Sequence, residues 1–189
     1  MTSPPDADDT PAARYGRVAA RFDEHVHAVP ADRWDAPAPC TGWVARDIVT
    51  HLCEWVPAVL APSGVTASSA AAAADPAAGW EALHAMLTDA LADPVTAAKE
   101  FDAGPPGRMT VEAAIDRLVT PDVLVHTWDL ARAVGLDERI DERLAAEALA
   151  GMEPIDELLR ASGHFGPRVD VAADADVQTR LIAFTGRQP

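Results

Sequence analysis

The sequence predicts an all-α protein, an antiparallel bundle of four main helices with short terminal extensions. Three observations lead there. The 189-residue chain is 49% apolar but only 5% aromatic, so its apolar mass is mostly Ala, Val and Leu, and Ala and Leu favour helix. Apolar residues recur at three- and four-residue steps in several separate stretches. Pro and Gly gather mostly between those stretches. Strands are expected to be few or absent, and no internal repeat is visible.

Taken in order, residues 1–13 (MTSPPDADDTPAA) read as a disordered acidic tail, and 14–189 as one helical-bundle domain. A first helix is predicted over about Ala12 to Val29, with Val18, Phe22, Val26 and Val29 on one stripe. Pro37, Pro39 and Gly42 keep Trp34–Trp43 from being helical throughout. A second helix begins near Val44 and carries Ile48, His51, Leu52 and Trp55; Pro57 kinks or stops it. Ala61–Gly79 is low in complexity and reads as a mobile connection. A third helix follows from Trp80 to Leu91. Asp93–Arg108 holds three prolines and two glycines and reads as a loop, with an extended piece near Ala98–Phe101. Thr110 caps a fourth, longest helix that ends at Val134 against Gly135. Pro121 lies inside it, and a kink there is favoured over a break. A fifth helix spans Asp141 to Ala161. The tail from Phe165 mixes turns with a short apolar stretch, Leu181–Phe184.

Charge narrows the function. With 15 basic and 30 acidic side chains the net charge is −15. Nucleic-acid binding and docking on an anionic membrane both need concentrated Lys and Arg, so neither is expected. No apolar run reaches a membrane span, and the N-terminus lacks the features of a signal peptide. Cys40 and Cys53 are too few for a disulfide scaffold and lack CxxC spacing, so a reducing cytoplasm is the expected location. GxSxG, P-loop and GxGxxG patterns are absent.

The most informative conflict lies on the fourth helix. On a wheel of about 100° per residue, Val111, Leu118, Val119, Leu130 and Ala133 fall within about 60° of Ile115. So do Asp122, His126 and Asp129. Arg117, Leu124 and Trp128 take the opposite face. Charges on a core stripe are costly unless they are paired or bound to a metal. Asp122 and His126, four apart, project from one face and suit two ligands of one cation. His51 shares its face with Ile48, Trp55 and Ala58 and should also point inward. Two imidazoles and a carboxylate make a three-ligand, zinc-like set with an open position; nickel or another divalent metal also suits it. Plainer readings stay open: His51 as an ordinary hydrogen-bonded core histidine, Asp122 as a first-turn cap or dipole partner, Asp122 and His126 as an ordinary carboxylate–imidazole pair, and a metal-free polar core network of all three residues.

The remaining candidates are weaker. Glu54 can serve as a fourth ligand or as a solvated carboxylate. Asp129 suits an acceptor behind a ligand imidazole, or a partner of Arg132 or Arg46. Asp47 and Asp129 are the candidates for a general base. His25 and His27 diverge and read as surface residues, His84 stands alone, and His164 sits in a terminal loop. Cys40 reads as a small buried residue rather than a reactive one.

Longer stretches carry a resemblance. Trp34 and the run Pro39-Cys40-Thr41-Gly42-Trp43-Val44-Ala45-Arg46-Asp47-Ile48-Val49-Thr50-His51-Leu52 resemble the signature of actinobacterial DinB-like proteins. More closely, they are similar to the N-terminal domain of mycothiol-dependent maleylpyruvate isomerases and their metal-binding relatives. Asp122-Val123-Leu124-Val125-His126-Thr127-Trp128-Asp129 through Gly135 is a second such stretch. The ending, Gly163 to Pro167 with Thr185-Gly186-Arg187, marks a subgroup and carries no known chemistry. The resemblance implies a DinB-like four-helix bundle with a divalent metal, usually zinc, held by His51, Asp122 and His126. The isomerase has Glu where this chain has the shorter Asp122. It also has a second domain that helps form its active site, and no equivalent follows Pro189, so maleylpyruvate isomerisation itself is not expected.

The function expected from these readings is a zinc-dependent transferase or isomerase-like enzyme. It would use a low-molecular-weight thiol of the mycothiol type as co-substrate and act on an unidentified electrophile. The alternative is a non-catalytic bundle that binds a metal or a small ligand. Association into a homodimer is compatible with the sequence, though no patch demands it.

Overall fold

The structure, a computed structural model, describes residues 10–66, 74–161, 163 and 165–189. It is mostly helical, with one two-stranded sheet among the described residues. Residues 1–9, most of the expected acidic tail, lie outside the described residues, as do 67–73 of the low-complexity connection and His164.

Helix α1, Pro11–Ala28, starts inside the expected tail because the Thr10 hydroxyl accepts the Ala13 N–H and Pro11 needs no donor at its position. It buries Val18, Phe22 and Val26 of the stripe read from the sequence, and Tyr15 besides. His25 is also buried, contrary to expectation. Its ring nitrogens lie 2.7 and 2.9 Å from the carbonyl oxygens of Arg21 and Asp137. His27 is exposed, between Asp23 and Glu81.

Helix α2, Ala45–Leu60, opens where the Asp47 carboxylate accepts the Val44 N–H, and it runs through Pro57 instead of stopping there. Helix α3, Pro76–Ala92, begins four residues before the expected Trp80 because Asp75 accepts the N–H groups of Ala77 and Ala78. Its His84, which the sequence left unpartnered, has Nδ1 3.0 Å from the Tyr15 hydroxyl and its ring stacked on Trp80. The expected loop after α3 contains one helical turn, α4 (Pro94–Ala97), and a hairpin of β1 (Glu100–Asp102) and β2 (Arg108–Thr110). Phe101 faces Met109 across it.

The long fourth helix of the sequence reading has three parts: α5 (Val111–Ala114), capped by the Thr110 hydroxyl, a π turn over Ile115–Val119, and α6 (Thr120–Val134). Pro121 cannot donate a backbone hydrogen bond, and the wider turn just before it accommodates that loss. The Thr120 hydroxyl adds a bond to the Ile115 carbonyl oxygen. Gly135, at φ +81°, ends α6 as expected.

The predicted fifth helix is interrupted. Helix α7 covers Glu142–Met152, a 3₁₀ turn containing Pro154 covers Glu153–Ile155, and α8 covers Asp156–Ala161. The tail then forms α9, Val177–Phe184, capped by Asp176; the sequence reading saw only a short apolar stretch there.

In the packing, α1 touches α3 and α6, and α2 touches the same two helices. Helix α7 packs on α9 and on α6. The wheel is corrected here: Leu124 and Trp128, expected on the outer face, are buried, on a helix that packs against α7 as well as α1 and α2. Arg117 is exposed as expected. Phe22 lies in the centre of the core, fully buried and edge-on to Trp80 with ring centroids 4.5 Å apart. Phe22→Ala should cost ~3–5 kcal/mol, read as a lowered midpoint in urea unfolding; an unchanged midpoint would contradict this packing.

Candidate metal centre

Asp122 and His126 lie on the first two turns of α6, just beyond the π turn. His51 reaches them from the middle of α2. The Trp34–Val44 loop brings a wall. Gly42, at φ +81°, lets the chain turn back, so that Trp43 N–H bonds Cys40 O and Ala38 N–H bonds Trp43 O. Trp43 then sits against both histidines, its ring 5.1 Å from His51 and stacked at 6.0 Å on His126.

The three residues converge. His51 Nε2 lies 3.6 Å from Asp122 Oδ2, and His126 Nε2 lies 3.6 Å from Asp122 Oδ1. One donor atom from each of the three falls within 4.8 Å of the others. A four-coordinate cation with bonds of about 2.0–2.2 Å spaces its donors by roughly 3.3 Å, so small side-chain adjustments accommodate one. The site is at the rim of the core, not its centre. His126 is buried at 3% exposure, whereas His51 and Asp122 keep 26% and 28%. Ala58, expected to share the inward face of His51, is exposed.

Two of the three donors are held by a further hydrogen bond. The Trp55 indole N–H donates to Asp122 Oδ2 at 2.9 Å. His126 Nδ1 lies 2.8 Å from Asp129 Oδ2. A carboxylate there accepts a hydrogen bond from Nδ1–H, which leaves Nε2, on the side of Asp122, as the nitrogen with the lone pair. Burial works to raise the Asp122 carboxyl's pKa, but the nearby His126 and His51 outweigh it, and the group sits below its ordinary range. Asp129 behaves alike: burial opposes its charge, while the bond to His126 and the charge of Arg187 hold its pKa down.

Asp129 is therefore the acceptor behind a candidate ligand. Its cationic partner is neither of those expected. Arg132 pairs with Glu138 and lies over the Trp128 ring, and Arg46 pairs with Asp35. Arg187 grips Asp129 instead, with Nε at 2.7 and 2.9 Å from the two oxygens and Nη2 at 2.7 Å from Oδ2. The sequence named Arg187 within the ending that marks a subgroup but gave it no chemistry, and for a core-facing Asp129 in need of a partner it offered Arg132 and Arg46 instead.

Two other candidates resolve differently. Glu54 is exposed and does not belong to either donor cluster found among the described residues. Asp47 is occupied as the cap of α2. Cys40, His126 and Asp129 form a second cluster of potential donors. The Arg187 guanidinium lies 3.3 Å from Cys40 Sγ, so a cation there would sit beside a fixed positive charge. Burial, then the charge of Asp129, push the Cys40 thiol up to about 12. Beyond Arg187 a cavity of about 420 Å³ opens between Pro39, Thr41, Arg132 and Gln188, and none of the three converging residues lines it.

A thiol with its pKa raised to about 12 is almost entirely protonated near neutral pH. Cys40 should therefore react with iodoacetamide at pH 8 roughly tenfold or more slowly than a free cysteine, the rate climbing with pH. Peptide mass spectrometry of the alkylated protein reads this directly, and fast labelling at pH 8 would contradict the assigned environment.

The described residues contain no helix long and apolar enough to cross a membrane. No solved structure matches the chain. Two relatives from strains of Mycobacterium tuberculosis, each called an uncharacterized protein, are 27% identical to it over 190 residues, covering 94% of this chain and 97% of theirs. Residues 15–131 match the family described as the mycothiol maleylpyruvate isomerase N-terminal domain. That stretch is more than half of the chain and contains His51, Asp122 and His126, so the chain belongs to this mycothiol-related family.

Proposed function

We propose that this protein binds a divalent cation, zinc foremost, through His51, Asp122 and His126, and acts as a transferase or isomerase-like enzyme that uses a mycothiol-type thiol on an electrophilic substrate. The observation that carries the reading is the convergence of two imidazoles and one carboxylate within 4.8 Å of one another. That donor set suits zinc and, lacking sulfur, other divalent metals. The family, whose description names mycothiol, supports the choice of thiol.

The chain's own residues have defined tasks in this reading. His126 donates its Nδ1–H to the Asp129 carboxylate and presents Nε2. Trp55 orients the Asp122 carboxylate through its indole N–H. The indoles of Trp43 and Trp55 flank His51. A bound divalent cation lowers the pKa of a coordinated thiol, so that it is held as thiolate near neutral pH. Cys40, kept protonated, does not compete as a nucleophile. The exposed position of Glu54 favours three protein ligands and an open position over a closed structural shell.

The reading takes residues 14–189 as one domain around an antiparallel four-helix bundle. In support, the contacts of α1 with α3 and α6, and of α2 with the same helices, form a closed ring of pairs. The partners it expects are the small thiol and the electrophile, in the cytoplasm.

Metal analysis after expression in zinc- or nickel-supplemented medium should find about one equivalent of metal per chain. His51→Ala, Asp122→Ala and His126→Ala should each lose most of it. In the cobalt-substituted protein, added mycothiol should shift the visible ligand-field bands. Metal-free wild type would end the metal reading; metal without any response to thiol would end the transferase reading.

A further inference from the structure

Arg187 lies outside the stretch that matches the family, and the proposed function gives it no task. Yet it is among the most firmly placed side chains near the site. Its guanidinium is 13% exposed and meets both oxygens of Asp129, which is 0% exposed. Its backbone is anchored too. The Arg187 N–H bonds Ile182 O, and Arg160 donates to the carbonyl oxygens of Phe184, just before the turn, and of Gly166, in the segment that Gly186 packs against. Gly186, at φ +89°, packs on Gly166 so closely that a Cβ would come within 2.7 Å of the Gly166 Cα. The C-terminal residues are thus folded back tightly, and Arg187 is the side chain they deliver to α6.

The physical consequence concerns His126. A neutral imidazole carries one proton, and the partner of one nitrogen decides which nitrogen keeps it. Asp129 is that partner, at 2.8 Å from Nδ1. A fully buried carboxylate held only by neutral donors, here His126 and the Cys40 thiol at 3.5 Å, is costly. A guanidinium fork both supplies the opposite charge and sets the plane of the carboxylate.

We propose that Arg187 is a positioning residue for the metal centre. Its two-point grip on Asp129 keeps the His126 proton on Nδ1 and aims the Nε2 lone pair at the space shared with Asp122 and His51. The purpose of this grip rests on the metal reading above, but its effect on the ring exists without any metal.

Two measurements on the full chain separate these. In metal-free protein, long-range ¹H–¹⁵N spectra of labelled histidine report the His126 tautomer. Wild type should show a single form protonated at Nδ1, and Arg187→Met a mixture of tautomers. Cobalt titration of the same proteins should show affinity falling roughly 10–100-fold in Arg187→Met, the range typical for losing a partner behind a ligand. Arg187→Lys, with charge but no fork, should fall between the two. Arg132→Met, which breaks an ion pair farther along α6, should change neither readout. If Arg187→Met fails to fold, Arg187→Lys decides by the same two measurements. An unchanged tautomer and affinity in a folded Arg187 variant overturn the proposal. If wild type binds no cobalt but the tautomer still depends on Arg187, the metal reading has failed and the grip on His126 stands.

Discussion

A fully buried carboxylate organises this molecule. Asp129 has no contact with water, so its charge must be met inside the protein. His126 meets it from one turn earlier on α6, and Arg187 from 58 residues farther along the chain. Each partner is thereby tied to the other. The imidazole can keep a fixed orientation only while the carboxylate does, and the C-terminal residues have a reason to return to α6. Removing one partner leaves a charge in a medium that cannot solvate it, a more damaging change than loss of an exposed ion pair.

The second constraint is local and comes from Pro121. Its missing N–H denies one rung of the helical ladder, and the chain answers with a π turn over Ile115–Val119 rather than with a break. Arg14 of α1 secures that turn through a two-point bond to Asp116, at 2.8 and 2.7 Å. The turn lies directly before Asp122, so a local backbone adjustment precedes the first of the converging side chains. Helix α6 then delivers His126 to the same face one turn later.

Much of this was readable from residues. The stripe of α1, the cap at Thr110 and the stop at Gly135 follow from spacing and from residue chemistry that acts within a few positions. So does the pairing of Asp122 with His126 on one face of a helix. The role of Asp129 behind His126 was one of three readings, and proximity along the helix was enough to suggest it. Where the reading failed, the cause was packing between segments far apart in the chain. Leu124 and Trp128, read as outward, are buried on a helix that α7 also packs against. His25 is buried because the loop carrying Asp137 comes back over α1 and offers it a carbonyl oxygen.

The residues alone therefore determined the helical character and the charge of the chain, together with the spacing that sets an acid and an imidazole side by side. These depend on backbone geometry and on composition, both written locally. The tertiary structure decided that His51 of α2 meets that pair at 3.6 Å, that the site lies at the rim of the core, and that Arg187 is the counter-charge of Asp129. A buried charge requires a partner, but nothing in its own neighbourhood says which one. That choice belongs to the fold, because only the packing of distant segments determines which cation can reach it.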